Sequence, residues 1–217
     1  MVQVSVSDAA EQLSVSPQRV RAMLKDGIIR GEQIGGRWLV DASSLRGAGR
    51  PSGRPFSERI AWALMDLADG RVPAELSQPE RSRLKARWRV LVNSEDAVHA
   101  LHGAMARRGE CSRWSAPDPA GLLEDERLVR SGKSDPRSGI SAGGYAEGYV
   151  EDRDFEALVA DHLLVPARGP ENVLLRRVHR PVSAPLPWLA VAADLADGDA
   201  REAQQAAILL AKNGSNV

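Results

Sequence analysis

Cysteine is almost absent from this 217-residue sequence. Cys111 is the only one, so no internal disulfide can form, and a reducing compartment suits the chain. No apolar run approaches the length of about 18 residues that a membrane span requires. The first residues, MVQVSVSD, lack the basic region of a secretory signal. We therefore expect a cytoplasmic protein without membrane association.

A net charge is also lacking, but the two signs are distributed unevenly. Residues 1–60 carry nine Lys/Arg and six Asp/Glu, a net +3, and residues 61–113 carry nine and seven, a net +2. Residues 114–217 carry eleven and sixteen, a net −5. A basic front and an acidic back predict one end that binds nucleic acid and another that has a different partner.

Two short helices joined by a tight turn are predicted at the front of the chain. Ser7 and Ser16 are suitable N-caps, Pro17 suits the first turn of the second helix, and Gly27 suits its end. Helical spacing predicts inward faces made of Ala9, Ala10 and Leu13 in the first helix and of Val20, Met23 and Leu24 in the second.

A two-stranded hairpin is predicted after these helices. Its strands are Ile28–Ile29 and Trp38–Val40, the turn is Gly35–Gly36, and Arg37 lies at the tip. Residues 41–45 predict a last short helix that closes the module.

This pattern resembles the N-terminal module of excisionase and MerR-type regulators. The resemblance rests on the Ala-Ala pair, Ser16-Pro17, Val20, Gly27 and the GGRW wing, and it implies a winged helix-turn-helix over residues 1–46. Such modules insert the second helix into the DNA major groove and place the wing on the backbone or in the minor groove.

The resemblance implies a set of DNA-contacting side chains. Arg and Gln offer bidentate hydrogen bonds to guanine and adenine edges, and Ser and Lys suit phosphates. The set implied by the resemblance is Ser16, Gln18, Arg19, Arg21, Lys25 and Arg37. The alternative is a module that packs only against protein, with its arginines solvated.

Residues 47–56 predict a linker rich in Gly, Pro and Arg. Gly-Arg-Pro occurs twice, around Arg50 and Arg54, and resembles an AT-hook, which lies along a narrow minor groove. The residue before each Gly-Arg-Pro is Ala48 or Ser52 rather than Arg, so a flexible tether is the alternative.

Residues 57–113 predict three helices that form a small bundle. Ser57 and Ser94 are candidate caps, and Ser77 with Glu80 predicts a capping box. The outer face of the middle helix is strongly basic and could contact DNA, an acidic partner or only water. Its residues are Arg81, Arg83, Lys85, Arg87 and Arg89.

Residues 114–217 predict a compact α+β domain that binds a protein partner. The segments fall into short strands, one short helix and a final pair of helices. The predicted strands are 127–129, 145–150, 163–165 and 172–178, and the predicted helices are 152–161, 188–196 and 200–211. The fold class of the whole chain is therefore α+β.

This back half resembles the C-terminal domain of AbiEi-like antitoxins, the antitoxin halves of bacterial abortive-infection toxin–antitoxin pairs. The resemblance rests on these stretches: Ser131-Gly132, Glu147–Val150 leading into Asp154–Leu158, Asn172–Arg176, and the Asp194…Gly198…Arg201 helix pair. It implies a chain that represses its own operon and neutralises a toxin.

We find no pattern typical of an enzyme, a cofactor site or a metal site. His99 and His102 lack further ligands at suitable spacing, and Cys111 lacks the pattern of a nucleophile. The Ser-Gly-Lys-Ser stretch at 131–134 lacks the upstream glycine of a phosphate loop, and the carboxylates at 151–156 match a helix start.

The leading hypothesis is a nucleoid-associated transcriptional regulator, the antitoxin of a toxin–antitoxin pair. Its expected partners are operator DNA, a cognate toxin bound through the C-terminal domain and a second copy of the chain. The alternative is a recombination directionality factor or an architectural DNA-binding adaptor.

Overall fold

A computed structural model describes residues 3–13, 15–25, 29–45, 54–141 and 143–216. The chain divides into two units, Met1–Gly53 and Arg54–Val217. Each unit combines helices with a sheet, so the predicted α+β class is confirmed.

The first unit is a small three-stranded sheet covered by two helices. Strand β1 (Gln3–Ser5) leads directly into α1 (Val6–Leu13) and α2 (Pro17–Lys25). Strands β2 (Gly31–Ile34) and β3 (Arg37–Asp41) follow, and a 3-10 turn at Ala42–Leu45 closes the unit as expected. The strand order is β1-β3-β2 with antiparallel pairing throughout, so β1 supplies a third strand that the sequence did not predict.

A separate hydrophobic core holds the first unit together. The predicted inward faces of both helices are confirmed, and the sheet and the closing turn add to them. Its buried members are Val6, Ala9, Ala10, Leu13, Val20, Met23, Leu24, Ile29, Val40 and Leu45.

The cap of α1 and the first hairpin strand differ from the prediction. The cap is Ser5 instead of Ser7: its hydroxyl accepts from the Asp8 backbone N–H at 3.1 Å, and the Asp8 carboxylate accepts from the Ser5 N–H at 3.2 Å. The first hairpin strand is Gly31–Ile34 instead of Ile28–Ile29, because Ile29 is taken into the core. The predicted turn at Ser14 and the predicted helix end at Gly27 lie outside the described residues.

Three helices open the second unit, as predicted: α3 (Glu58–Ala68), α4 (Gln78–Val92) and α5 (Ala97–Met105). The capping box of α4 is confirmed, with the Glu80 carboxylate accepting from the backbone N–H and the hydroxyl of Ser77, both at 2.8 Å. The cap of α5 is Asp96, which accepts from the His99 N–H at 3.1 Å, instead of Ser94, whose hydroxyl donates to Leu91 at 2.8 Å.

A five-stranded sheet follows these helices, with the strands interrupted by further helices. The elements in chain order are β4 (Glu110–Ser115), α6 (Pro119–Leu123), β5 (Val129–Arg130), β6 (Ala146–Glu151), α7 (Asp152–Asp161), β7 (Val165–Pro166), β8 (Val173–Val178), α8 (Trp188–Ala196) and α9 (Ala200–Asn213). The strand order is β5-β6-β8-β4-β7, in which β6 and β8 are parallel and the other pairs are antiparallel.

The second unit has one common core. It joins the helical segment 57–113 to the segment 114–217, although the sequence analysis separates the two at residue 113. Trp62 of α3 meets Tyr149 of β6 edge to face, with ring centroids 5.4 Å apart. Trp88 of α4 meets Trp188 of α8 at 6.2 Å, and its indole N–H donates to the Gly214 carbonyl at 2.9 Å. Within the described ranges, no helix combines the length and the apolar composition needed to cross a membrane.

Candidate nucleic-acid interface

The α1–α2 pair presents one face to the core and the other to solvent. Ala9 and Ala10 are buried with almost no exposed surface, and such small side chains allow α2 to approach α1 closely. Val20, Met23 and Leu24 fix which side of α2 faces inward. The remaining side of α2 carries Gln18, Arg19, Arg21 and Lys25, all exposed.

The first turn of α2 is capped as the sequence predicts. The Ser16 hydroxyl accepts from the Arg19 backbone N–H at 3.2 Å, and the Ser16 carbonyl accepts from the Val20 N–H at 3.1 Å. Pro17 occupies the first helical position, where no N–H is needed. The exposed Ser16 thus lies at the positive end of the helix dipole, which favours an anionic group such as a phosphate.

Among the described residues, the exposed cations of α2 and of the hairpin that follows it have no neighbouring carboxylate partner. In the part of the chain that the structure describes, no acidic side chain lies within ion-pair distance of Arg19, Arg21, Lys25 or Arg37. Uncompensated guanidinium and ammonium groups on one surface attract a polyanion.

The wing is the β2–β3 hairpin. Gly35 and Gly36 form its turn with φ angles of 56° and 78°, a left-handed conformation that side chains with a Cβ rarely adopt. Arg37 directly follows this turn as the first residue of β3 and is exposed, as predicted for the tip. Ile34 precedes the turn and is 55% exposed, a residue that the sequence analysis did not single out. The sequence could have indicated Ile34 as a DNA-contacting candidate, because it is an apolar residue beside the two glycines of the turn. Minor-groove binders use apolar side chains as wedges between base steps.

The two linker arginines among the predicted DNA-binding residues, Arg50 and Arg54, differ in what the structure says of them. Arg50 and the first Gly-Arg-Pro lie outside the described residues. Arg54 is exposed and belongs to the second unit, where its carbonyl accepts from the Arg87 guanidinium at 3.5 Å. The structure therefore brings Ser16, Gln18, Arg19, Arg21, Lys25 and Arg37 together in one unit and places Arg54 in the other.

In the second unit, His102 and the Ser-Gly-Lys-Ser stretch are engaged with neighbouring side chains. The His102 Nδ1 atom lies 2.6 Å from an Asp197 carboxylate oxygen, and its ring stacks on His99 with centroids 6.3 Å apart. In the Ser-Gly-Lys-Ser stretch, the Ser131 hydroxyl donates to Asp194, and Lys133 forms an ion pair with Glu202 at 3.1 Å. Among the described residues, no three potential metal ligands lie together.

A buried ionic cluster lies at the centre of the second unit. Arg108 Nη2 lies 2.5 Å from carboxylate oxygens of both Asp194 and Asp197, and Arg176 Nε lies 2.6 Å from Asp194. The Tyr149 hydroxyl donates to Asp194 at 3.2 Å. Burial alone would raise the pKa of Asp197, but Arg108 and Arg176 outweigh it and hold that pKa well below its usual value.

Glu147 of β6 is buried next to this cluster, and its pKa is raised, whereas that of Asp197 is lowered. Burial raises the pKa of its carboxyl to about 8, and the nearby Asp194 adds to the effect. The carboxyl accepts from the Lys133 backbone N–H at 3.1 Å. A Cβ at Gly132 would lie 2.1 Å from the Glu147 Oε2 atom, so this position requires glycine. These contacts hold the fold of the second unit together.

The comparison with known families agrees with the geometry of the first unit. Residues 4–46 match the family model described as a helix-turn-helix domain. No curated protein and no solved structure matches the chain. The first unit is thus similar to a helix-turn-helix domain.

Proposed function

We propose that this protein is a sequence-specific DNA-binding regulator that reads the major groove with α2. The observation that carries the proposal is the exposed face of α2, which presents Gln18, Arg19 and Arg21. The opposite side of the helix is buried through Val20, Met23 and Leu24. Gln and Arg are the side chains best suited to recognise adenine and guanine edges. The role is a binding one and needs no catalytic step.

Recognition by two copies would strengthen binding. A module of about forty residues supplies limited contact area, and paired half-sites raise both affinity and specificity. We therefore propose an inverted or direct repeat as the target, bound by two chains.

Selection from a random duplex library tests the proposal. The full chain is incubated with the library, and bound duplexes are recovered, amplified and sequenced over several rounds. We expect enrichment of one motif that competes with a shuffled duplex of the same composition. Recovery of unrelated sequences after repeated rounds would contradict sequence-specific recognition.

We propose further that the regulator is the antitoxin of a toxin–antitoxin pair and represses its own operon. The resemblance of segments in the second unit to AbiEi-like antitoxins supports this, as does its acidic back half. The two roles assign DNA to the first unit and the toxin to the second.

Co-expression tests the antitoxin proposal. The protein encoded by the adjacent reading frame is produced in bacteria either alone or together with the chain, and the growth of the two cultures is compared. We expect the neighbour to arrest growth alone and the chain to relieve the arrest. A neighbour that is harmless, or an integrase whose excision reaction the chain promotes, would contradict the antitoxin role.

A further inference from the structure

Helix α4 of the second unit has an exposed side lined by arginines. We define the α4 basic face as Arg83, Arg87 and Arg89, which are exposed while Leu84, Trp88 and Leu91 are buried. Arg83 and Arg87 are separated by one helical turn, and Ser82 and Ala86 on the same side are short. The three arginine side chains are therefore accessible from solvent.

The positive charge of this face is not compensated locally. Glu80 is the one acidic residue of α4, and it is already engaged with Ser77 and with Arg59 at 3.4 Å. Across the described ranges, no carboxylate lies within ion-pair distance of the three arginines of the face. Residues 78–92 carry five Lys/Arg and one Asp/Glu, whereas residues 54–217 carry 22 and 24. A helix of net +4 therefore belongs to a unit whose remainder has a net charge of −6.

The α4 basic face adjoins the segment with which the second unit begins. The Arg87 guanidinium lies over the Phe56 ring, 4.2 Å from its centroid, and donates to the Arg54 carbonyl. Arg54 is exposed as well and extends the positive surface. In sequence, nine residues lead from Leu45, the end of the closing turn in the first unit, to Arg54, and nine extended residues span at most about 30 Å.

We infer that the α4 basic face binds the sugar-phosphate backbone of the same DNA that α2 reads. This inference rests on the proposed function, because the short tether to the first unit raises the effective concentration of the phosphates of a duplex that this unit holds. Arginine suits the role because its planar guanidinium donates two hydrogen bonds to one phosphate. The face contacts no base edge, so it adds affinity evenly to all sequences.

The salt dependence of DNA binding measures this contact. The variant R83Q/R89Q removes two charges whose side chains form no ion pair within the described chain. It is compared with wild type on the selected duplex and on its shuffled counterpart. The slope of log affinity against log salt is expected to fall by about 0.9 for each lost phosphate contact. If two contacts are lost, the factor by which affinity falls between about 50 and about 200 mM salt becomes about tenfold smaller. The ratio of the affinities for the selected and the shuffled duplex stays unchanged.

Two control variants separate a local contact from net charge and from folding. R168Q/R201Q removes the same charge from exposed arginines on other elements and should leave the slope unaltered. R83K/R89K keeps the charge and should keep the slope. An unchanged slope in R83Q/R89Q, or an equal change in R168Q/R201Q, overturns the inference while the proposed function stands. Failure of the wild type to select any motif would instead overturn the proposed function.

Discussion

At the scale of single residues, Arg19 and Arg21 separate base reading from mere attraction to DNA. Both are exposed on α2 without a carboxylate partner in the described chain. We expect Arg19→Ala and Arg21→Ala each to lose about 1–3 kcal/mol of discrimination between the selected duplex and a duplex mutated at one base pair. Competition binding on a matched set of duplexes measures this difference.

Lys25 provides the control for these two arginines, because its position at the end of α2 suits a phosphate. Lys25→Ala should weaken binding to every duplex by a similar factor and leave the discrimination intact. The assignment of α2 as the reading helix is wrong if Arg19→Ala and Arg21→Ala both retain full discrimination.

Glu147 gives the second unit a defined dependence on pH. Its pKa is about 8 in the folded chain and about 4.5 when unfolded, so the folded state holds the proton across this interval and the unfolded state releases it. The contribution of this carboxyl to the free energy of unfolding therefore falls as pH rises from about 4.5 to about 8. Glu147→Gln mimics the protonated form and should flatten this part of the profile.

Urea unfolding between pH 5 and pH 8 (about one midpoint per half unit) tests the role of Glu147. The variant should gain stability relative to wild type toward the alkaline end. Glu126→Gln, at an exposed carboxylate, should follow the wild-type profile throughout. Parallel profiles for wild type and Glu147→Gln would show that the buried carboxyl is charged across the whole range.

Some single-residue features could be predicted from the sequence and others could not. Ser16, Pro17 and the Ser77–Glu80 box follow from local rules, since a cap needs only its own helix. The N-caps of α1 and α5 are Ser5 and Asp96 instead of the predicted Ser7 and Ser94. Several polar residues lie near the start of each helix, and packing decides at which of them the helix begins. The exposure of Gln18, Arg19 and Arg21 followed from helical spacing alone.

At the scale of elements, the end of α7 contains a strained residue. Leu163 has a φ of 51°, and the pattern of its neighbours is a Schellman motif, with the Leu164 N–H bonded to Val159 at 2.9 Å and the Leu163 N–H to Ala160 at 3.2 Å. This position favours glycine, and the Leu163 side chain is 70% exposed.

We expect Leu163→Gly to raise the free energy of unfolding by about 0.5–1 kcal/mol, because the relief of strain exceeds the added freedom of the unfolded chain. Thermal unfolding of the variant measures the gain. Val72→Gly serves as the matched control, since Val72 is 72% exposed and has no positive φ, and it should not stabilise. A loss of stability in Leu163→Gly would mean that the leucine side chain contributes more than its exposure indicates.

Helices were easier to predict than strands. The helices Asp152–Asp161 and Trp188–Ala196 have the bounds that the sequence predicts, because apolar spacing is a local signal in both. The first of them also has an acidic first turn. Strand β4 was missed although it pairs with β8 on one side and β7 on the other. Its sequence, Glu-Cys-Ser-Arg-Trp-Ser, has no run of β-branched residues, so only distant partners make it a strand.

At the scale of the whole molecule, the ionic cluster is the feature that unites the second unit. Asp194 compensates both Arg108 and Arg176, and it is 3% exposed. Asp194→Asn keeps the shape but leaves two buried guanidinium groups with Asp197 as their carboxylate partner. We expect a loss of about 3–5 kcal/mol in the free energy of unfolding, measured by urea titration with tryptophan fluorescence.

Asp152→Asn is the matched control for Asp194→Asn. Asp152 forms its ion pair with Arg177 at the surface, and its side chain is 43% exposed. Its removal should change the free energy of unfolding by less than about 1 kcal/mol. Equal effects of the two variants would show that the buried cluster contributes no more than a surface pair.

The sequence did not predict that the two segments of the second unit share one core. The polarised charge and the separate front module could be read from composition and motif. The common core of residues 57–113 and 114–217 could not, because it depends on contacts such as Trp62 with Tyr149 and Arg108 with Asp194, which are far apart in sequence. Local patterns carry no information about which distant groups meet.

The dependence of Arg108 and Arg176 on carboxylates from α8 and its C-terminal end has a genetic consequence. A stop codon between residues 178 and 188 removes both compensating aspartates and spares every residue of the first unit. On the proposed function, the shortened product would keep the DNA-reading helix α2 and lack the segments that bind the protein partner. In a strain that carries both alleles, we expect such truncations to be dominant over the intact gene, whereas null alleles in the first forty codons are recessive.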